Sequence, residues 1–386
     1  MRIAFDALPL VSNRMTGIGY CEAGQIQAMM MLHPEEQYVL QFFDKGDGVE
    51  KRKRLYYYER QRNVSVQQGH FSGYFYRLLT TAIPLPYRAF FGKDAEITHF
   101  FNYIIPPGVS GKRIVTVHDM VYKTFPETVR GRTRFMLETG LQRSLHRADL
   151  IVTDSAFSKS EIIRYFPATE EKIRVVPCGV DKLRFSPMPP AAAPAIEELK
   201  RRMGLQASYF LYLGTLEPRK NLDRLIRAYA LLKQQHPDAP QLVLAGGYGW
   251  RNNSIYQLVQ SLHLQEDVLF TDYVPEEDMQ PLLCGALAFV FPSIYEGFGM
   301  PPLEAMACGT PVLTTRAASL PEVVGDCAVI VDPHHTEDIA WGLERLFQDA
   351  ALRERLRHDG LRRAAMFSWE NAAAALYNVY QEALAQ

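Results

Sequence analysis

The chain lacks the short motifs that most often announce a metal or a redox centre. Its five cysteines (Cys21, Cys178, Cys284, Cys308 and Cys327) are odd in number and widely scattered, and no Cys-x-x-Cys pair occurs. That excludes a zinc ribbon and a dithiol redox motif, and it predicts free thiols in a reducing cytosol. There is no Asp-x-Asp pair and no His-x-x-x-His, so the spacing predicts no metal site. No apolar run approaches the length of a membrane-spanning helix. The opening Met1-Arg2-Ile3-Ala4-Phe5-Asp6 reaches an acid early, which predicts a first strand rather than a secretory signal. With a formal net charge of −1 there is no global field to attract nucleic acid, and none is expected as a partner.

What is present is enough apolar material for large cores. A chain of 386 residues with 47% hydrophobic content predicts two domains. Short, β-rich, nearly continuous apolar runs alternate with amphipathic ones through both halves. The expected strands cover 2–6, 38–43, 97–101, 113–118, 150–154 and 174–177, then 209–213, 241–245, 268–271, 288–291, 311–314 and 328–331. Such runs suit parallel strands covered on both faces, with helices such as 222–235 in the crossovers. The densest Pro/Ala segment, Ser186-Pro187-Met188-Pro189-Pro190-Ala191-Ala192-Ala193-Pro194, is the best linker candidate. The fold class expected is therefore α/β: two Rossmann-like domains with parallel sheets facing a cleft, over 1–186 and 187–366. A final helical segment, 367–386, is expected to cross back to the first domain.

Two constellations in the second half carry chemistry. In Glu296-Gly297-Phe298-Gly299-Met300-Pro301-Pro302-Leu303-Glu304 two carboxylates flank a Gly-Phe-Gly turn. The turn follows an apolar strand and precedes a helix expected over 303–307, with Glu304 in its first turn. This is the strand end where open α/β sheets bind ligands. Singly, either glutamate reads as readily as a helix-dipole partner or a solvated acid. Together with the open backbone N–H groups of Gly297, Phe298, Gly299 and Met300, they suit a polyol bearing a phosphate. The second is Gly214-Thr215-Leu216-Glu217-Pro218-Arg219-Lys220-Asn221, where a strand ends at Gly214 and Asn221 is a candidate N-cap for the next helix. Arg219 and Lys220 there offer a bidentate fork and a point charge to a diphosphate, against the alternative of two solvated cations.

In the first half, Thr16-Gly17-Ile18-Gly19 is a Gly-x-Gly without the third glycine, because Glu22 stands in its place. It is a poor dinucleotide fingerprint, but Gly17, Ile18 and Gly19 can still present backbone donors. Val117-His118-Asp119 ends a strand, where His118 can meet a sugar or phosphate oxygen and Asp119 can orient it, or His118 is satisfied locally. The stretch 51–93 is basic and aromatic, opening with Lys51-Arg52-Lys53-Arg54-Leu55-Tyr56-Tyr57-Tyr58. It reads either as a solvated charged helix with core aromatics or as a contact for an anionic membrane surface or lipid-diphosphate acceptor.

These residues resemble the retaining family-four glycosyltransferases of the GT-B fold. The likeness runs almost continuously through the second half, in the Glu217-Pro218-Arg219-Lys220-Asn221 turn, Glu296 to Glu304, Leu320-Pro321-Glu322 and Phe367-Ser368-Trp369-Glu370. It is thinner in the first half, at Thr16 to Gly19, Val117-His118-Asp119 and Val176-Pro177-Cys178-Gly179. The resemblance implies that Arg219 and Lys220 bind the donor diphosphate and that Glu304 holds the nucleotide ribose. It implies that Glu296 and the backbone from Gly297 to Met300 contact the donor sugar, with His118 reaching it from the other domain. It further implies no metal, no cofactor beyond the nucleotide-sugar donor, and a front-face path in which a leaving-phosphate oxygen is the base. The chain departs from its relatives at Tyr20-Cys21, commonly Arg-Tyr, and at Arg316 and Ala318, often Asn and Ser.

The expectation is a cytoplasmic hexosyltransferase, associated peripherally with the inner membrane face, acting on a glycan or lipid-diphosphate-linked glycan. GDP-mannose is the first donor, with a UDP-hexose or dTDP-deoxyhexose as alternatives. A GT-B phosphorylase or epimerase shares the scaffold. A nicotinamide oxidoreductase and a non-catalytic sugar-binding protein are the readings from other classes.

Overall fold

The computed structural model describes residues 1–386 except 14, 47, 81–82, 84 and 248–252, together with the side chains of Tyr74 and Asn253. The chain divides into two compact units, Met1–Gly179 with Ser368–Gln386, and Val180–Phe367. The boundary thus falls at Gly179/Val180 rather than at 186/187. The Pro/Ala-rich segment expected to link the halves lies inside the second unit, where it leads into the helix Ala193–Met203.

Unit 1 is built on β1 (Arg2–Asp6), β2 (Gln37–Phe43), β3 (Val64–Gly69), β4 (Ile97–Phe100), β5 (Lys112–Thr116), β6 (Leu150–Thr153) and β7 (Ile173–Val175). They pair in parallel in the order β3-β2-β1-β4-β5-β6-β7. Unit 2 contains β8 (Tyr209–Leu213), β9 (Gln241–Ala245), β10 (Val268–Thr271), β11 (Ala288–Phe291), β12 (Val312–Thr315) and β13 (Val329–Val331). These too are parallel, in the order β10-β9-β8-β11-β12-β13. Every residue of β8, β9 and β11 is buried, as the unbroken apolar runs require when helices cover both faces. In each sheet the connection reverses direction at one point, between β1 and β4 and between β8 and β11. Such switch points leave a crevice at the carboxyl ends of the strands.

Several boundaries differ from the sequence expectation. The strand expected over 113–118 ends at Thr116, so His118 lies past its end. β3 was not expected, because Val-Ser-Val-Gln-Gln-Gly is too polar to read as a buried strand. It lies at the sheet edge and pairs only with β2, where polar side chains cost little.

The closing helix Trp369–Ala385 belongs to unit 1. Ser368 caps it by accepting from the Asn371 N–H, and it buries Ala372, Ala373, Leu376, Val379, Tyr380 and Ala383 at helical spacing. Its partner is the helix Gly17–Leu32, where Gly24 makes the approach possible. A Cβ at Gly24 would stand 2.3 Å from the Trp369 ring. Tyr380 reaches under the sheet to His99, with its hydroxyl 2.6 Å from Nδ1, while His99 Nε2 lies 2.8 Å from the Thr116 hydroxyl. Burial holds the His99 pKa down to about 3, so this chain of bonds is neutral.

Candidate active site

The unit 2 switch point gathers the residues singled out in the second half. After β8 the chain passes Gly214 and makes a tight turn at Pro218–Lys220. It then enters the helix Leu222–Gln235 through Asn221 in a left-handed conformation. Asn221 occupies the N-cap position, but its side chain caps nothing in that helix. Its Nδ2 instead donates to the carbonyls of Pro292 (3.1 Å) and Pro333 (2.7 Å). The expected capping role is therefore replaced by a tie between two loops, and that tie sets the turn that carries Arg219 and Lys220.

Both cations converge on Glu296 from the loop after β11. Lys220 Nζ donates to Oε1 at 2.6 Å and the Arg219 guanidinium donates to Oε2 at 2.8 Å. The Ser293 hydroxyl adds a third bond to the carboxylate, donating to Oε1 at 2.5 Å, and Arg219 also donates to Glu217 at 2.9 Å. Lys220 and Glu296 are buried, and Lys220 Nζ stands 4.7 Å from the centre of the Phe291 ring. Burial alone would raise the Glu296 pKa, yet the adjacent Arg219 and Lys220 charges reverse that and hold it near 2. Burial and then Arg219 draw the Lys220 pKa below its usual value, with Glu296 opposing them.

The loop beyond Glu296 is pinned by Ser319, whose hydroxyl lies 2.9 Å from the Glu296 carbonyl and 2.7 Å from that of Phe298. Phe298 is buried against Phe367. Gly299, at φ 118°, opens the helix Met300–Ala307. That helix begins three residues earlier than expected, so Glu304 sits in its second turn and the helix-dipole explanation for it falls away. Glu304 is only partly exposed. Its burial pushes its pKa up to about 7, the Arg184 charge pulling it down and Asp181 raising it further.

In unit 1, Gly17 begins the helix Gly17–Leu32 while Ile18 packs against an aromatic cluster, and Gly19 lies close to the Pro9 carbonyl. Glu22, in the place of a third glycine, is wholly buried with neither carboxylate oxygen hydrogen-bonded. Burial, then Asp6, drives its pKa well up, so it is an uncharged core residue. Asp119 accepts from the Tyr103 hydroxyl at 3.1 Å and from the Val121 N–H at 3.2 Å. His118 is buried, and both its nitrogens are engaged: Nε2 lies 2.8 Å from the Phe101 carbonyl and Nδ1 2.6 Å from Asp154. Burial opposes charge on this ring, but Asp154 outweighs it and lifts the His118 pKa to about 10. For His118 to reach a donor sugar, one of these two bonds has to be exchanged.

The sequence reading missed Ser293, Glu217 and Ser319. Ser293 stands three residues before Glu296, but the loop between β11 and the next helix, not the spacing, brings its hydroxyl to the carboxylate. Nor could spacing show that Cys21, His118 and Asp154 offer ligand atoms within 4.8 Å of one another, with Cys178 beside Cys21. They come from distant segments of unit 1.

Residues 196–363 match the family model for glycosyl transferases group 1, and residues 42–184 match that for glycosyltransferase family 4. O-antigen chain mannosyltransferase B of Escherichia coli is 38% identical over 288 residues, covering 74% of each chain. The chain belongs to the family-four glycosyltransferases. A serotype-specific mannosyltransferase, WbdA of Escherichia coli, is 32% identical over 69% of this glycosyltransferase, which spans 33% of that longer relative. The sucrose-phosphate synthase structure from Thermosynechococcus elongatus superposes with a TM-score of 0.74 at 20% identity, covering 100% of this chain and 99% of that one. This glycosyltransferase has the GT-B fold.

Proposed function

We propose that this glycosyltransferase moves a mannosyl unit from GDP-mannose to a glycan or lipid-diphosphate-linked glycan during surface polysaccharide assembly. It does so with retention of anomeric configuration and without a catalytic metal. The observation that carries the reading is the convergence of Arg219 and Lys220 on Glu296 at the β8/β11 switch point. The chemical task is to stabilise a departing diphosphate, and two cations fixed at a strand end do so without reorganising at the moment of bond cleavage. Arg219 also donates to the Tyr295 carbonyl at 3.1 Å, which fixes its guanidinium at the strand end, and its delocalised charge suits phosphate oxygens. Glu304 in the neighbouring helix suits the ribose hydroxyls.

The partners of Glu296 argue against a two-carboxylate hydrolase. Both of its oxygens are engaged, Oε1 by Lys220 and Ser293 and Oε2 by Arg219, so it is placed as a counter-ion rather than as a nucleophile or a base for water. Its role is to hold the cations and to accept from sugar hydroxyls. The mannosyl donor rests on the activity in the names of the two Escherichia coli relatives.

Peripheral membrane contact belongs to the same proposal. In the stretch 51–93, Tyr58, Tyr76, Tyr87 and Phe91 are buried, while Tyr56, Tyr57, Phe75, Leu78, Leu79 and Ile83 are exposed. Residues 81, 82 and 84 and the Tyr74 side chain lie outside the described residues. Lys51 is paired with Asp44 and Arg52 with Glu59, so part of the basic charge is already compensated. No described helix is long and apolar enough to cross a membrane.

The test is transfer and donor hydrolysis by purified protein with GDP-, UDP- and dTDP-sugars and polyprenyl-diphosphate-linked acceptors. Mannosyl transfer from GDP-mannose with an α-linked product is expected. Turnover confined to another nucleotide would overturn the donor, and an inverted product would overturn the stereochemistry.

A further inference from the structure

A cavity of about 440 Å³ opens in unit 1 at the carboxyl ends of β1, β2 and β3, where Leu8, Lys45 and Ser72 follow the strands. It adjoins a narrower cavity, sharing Arg77 and Met136 with it. One face of the helix Gly131–Arg147 walls both, through Arg132, Met136, Gly140, Arg143 and Arg147 at spacings of three and four residues. Six basic side chains line this groove, Lys45, Lys51, Arg77, Arg132, Arg143 and Arg147, against one acid, Asp44. Asp44 is paired with Lys51 at 2.8 Å, and Asp6, behind the groove, with Arg77 at 3.0 Å. Arg147 donates to the Ile105 carbonyl at 2.9 Å. Burial and then the Arg143 charge lower its pKa, as expected where like charges crowd.

We infer that this groove holds the diphosphate of the polyprenyl-diphosphate-linked acceptor. A diphosphate is compact and multiply charged, and arginine forks match its oxygens in pairs. A further donor lies close by. The Tyr87 hydroxyl is buried with no hydrogen-bond partner among the described residues, and Tyr87 lines a narrow chamber of about 10 Å³ beside Arg77.

The helix Gly73–Leu79 shows why the anion should carry an apolar tail. Gly73 and Arg77 face the groove, while Phe75, Leu78 and Leu79 are exposed on its other side. Basic groove and apolar surface thus share one short helix. A nucleic acid or a free sugar phosphate has no use for the apolar side, whereas a prenyl chain leaving the diphosphate can run along it into the bilayer. This pairing of groove and ligand presupposes the lipid-diphosphate-linked acceptor proposed above. It adds a second diphosphate subsite, distinct in chain position from the donor cations Arg219 and Lys220.

Calorimetric titration of the full chain with farnesyl diphosphate, with GDP present to fill the donor site, tests the groove. Binding is expected in the wild type, about tenfold or more weaker in Arg132→Gln/Arg143→Gln, and unchanged in Lys220→Ala. Both arginines are exposed, so the double variant removes charge without disturbing the core. Farnesol should not bind. In transfer assays the KM for the polyprenyl-diphosphate-linked acceptor should rise by a similar factor in the double variant, with the KM for GDP-mannose unmoved. Three results would overturn the groove: no farnesyl diphosphate binding by the wild type, full binding by the double variant, or loss confined to Lys220→Ala. Phosphatidylglycerol vesicles held through these arginines, with farnesyl diphosphate ignored, would overturn it in favour of a headgroup contact. Farnesyl diphosphate bound through Arg132 and Arg143 by a chain that transfers no mannose would instead count against the functional proposal alone.

Discussion

Lys220 Nζ lies 2.6 Å from Glu296 Oε1, joining a turn after β8 to a loop after β11 across 76 residues of sequence. The pair is buried, and a buried lysine tolerates its charge only beside a partner. Glu296 serves Arg219 as well, and Arg219 is also paired with Glu217, so two carboxylates balance the two cations. Because its folded pKa lies below the ordinary 4.5, its contribution to stability is present above that value. The contribution is lost as the pH falls toward 2.

Lys220→Ala should abolish most turnover while leaving the fold intact, because Glu296 keeps Arg219 and Ser293 as partners. A loss of about 10²–10³ in kcat is expected for removing one preorganised charge from a departing anion. Circular dichroism and steady-state kinetics on the same preparation check it. Activity within a few-fold of wild type would remove Lys220 from the diphosphate site.

The central strands were legible because burial on both faces leaves an unbroken apolar run. β8, β9 and β11 have the bounds that pattern predicts. β3 was not, because an edge strand needs no such pattern. The candidate residues Arg219, Lys220 and Glu296 were legible as types, but their shared network was not. It depends on Asn221 reaching the Pro292 and Pro333 carbonyls, a contact between segments that local propensity does not encode. The same limit hid the cluster around Cys21, where 157 residues separate two touching thiols.

On the helix Gly73–Leu79, Phe75, Leu78 and Leu79 share an exposed face, at spacings of three and four residues. If this face meets a membrane, Phe75→Ser with Leu79→Ser should reduce co-sedimentation with vesicles containing phosphatidylglycerol by several-fold. Transfer to a soluble acceptor analogue should be unaffected. Equal sedimentation of wild type and variant would remove the membrane from the proposal.

Gly24→Ala should destabilise unit 1 by about 1–3 kcal/mol, the usual cost of overpacking, because the new methyl meets the Trp369 ring. Thermal or urea unfolding measures it. Adding Trp369→Phe should recover part of the loss in a double-mutant cycle, since the two sites touch. Additive losses would show that the ring is not what excludes the methyl.

Glu304 carries the strongest pH signature expected of the donor site. Burial raises its pKa from 4.5 to about 7, so near neutrality a substantial fraction is protonated. Ribose hydroxyls donate best to the ionised carboxylate, so donor binding favours loss of that proton. Affinity for GDP-mannose should therefore weaken as the pH falls below about 7, by up to about tenfold per pH unit, and level off above it. Lys220 acts at the other end: its lowered pKa implies that donor affinity declines again in alkaline solution as its charge is lost. Calorimetry from about pH 5.5 to pH 8.5 reads the acid limb, and buffers of different ionisation enthalpy read the released proton directly. Glu304→Gln should flatten the acid limb and abolish the proton release while leaving the alkaline decline in place. A wild-type profile already flat from pH 5.5 to 8.5 would mean that Glu304 does not hold the ribose as an ion.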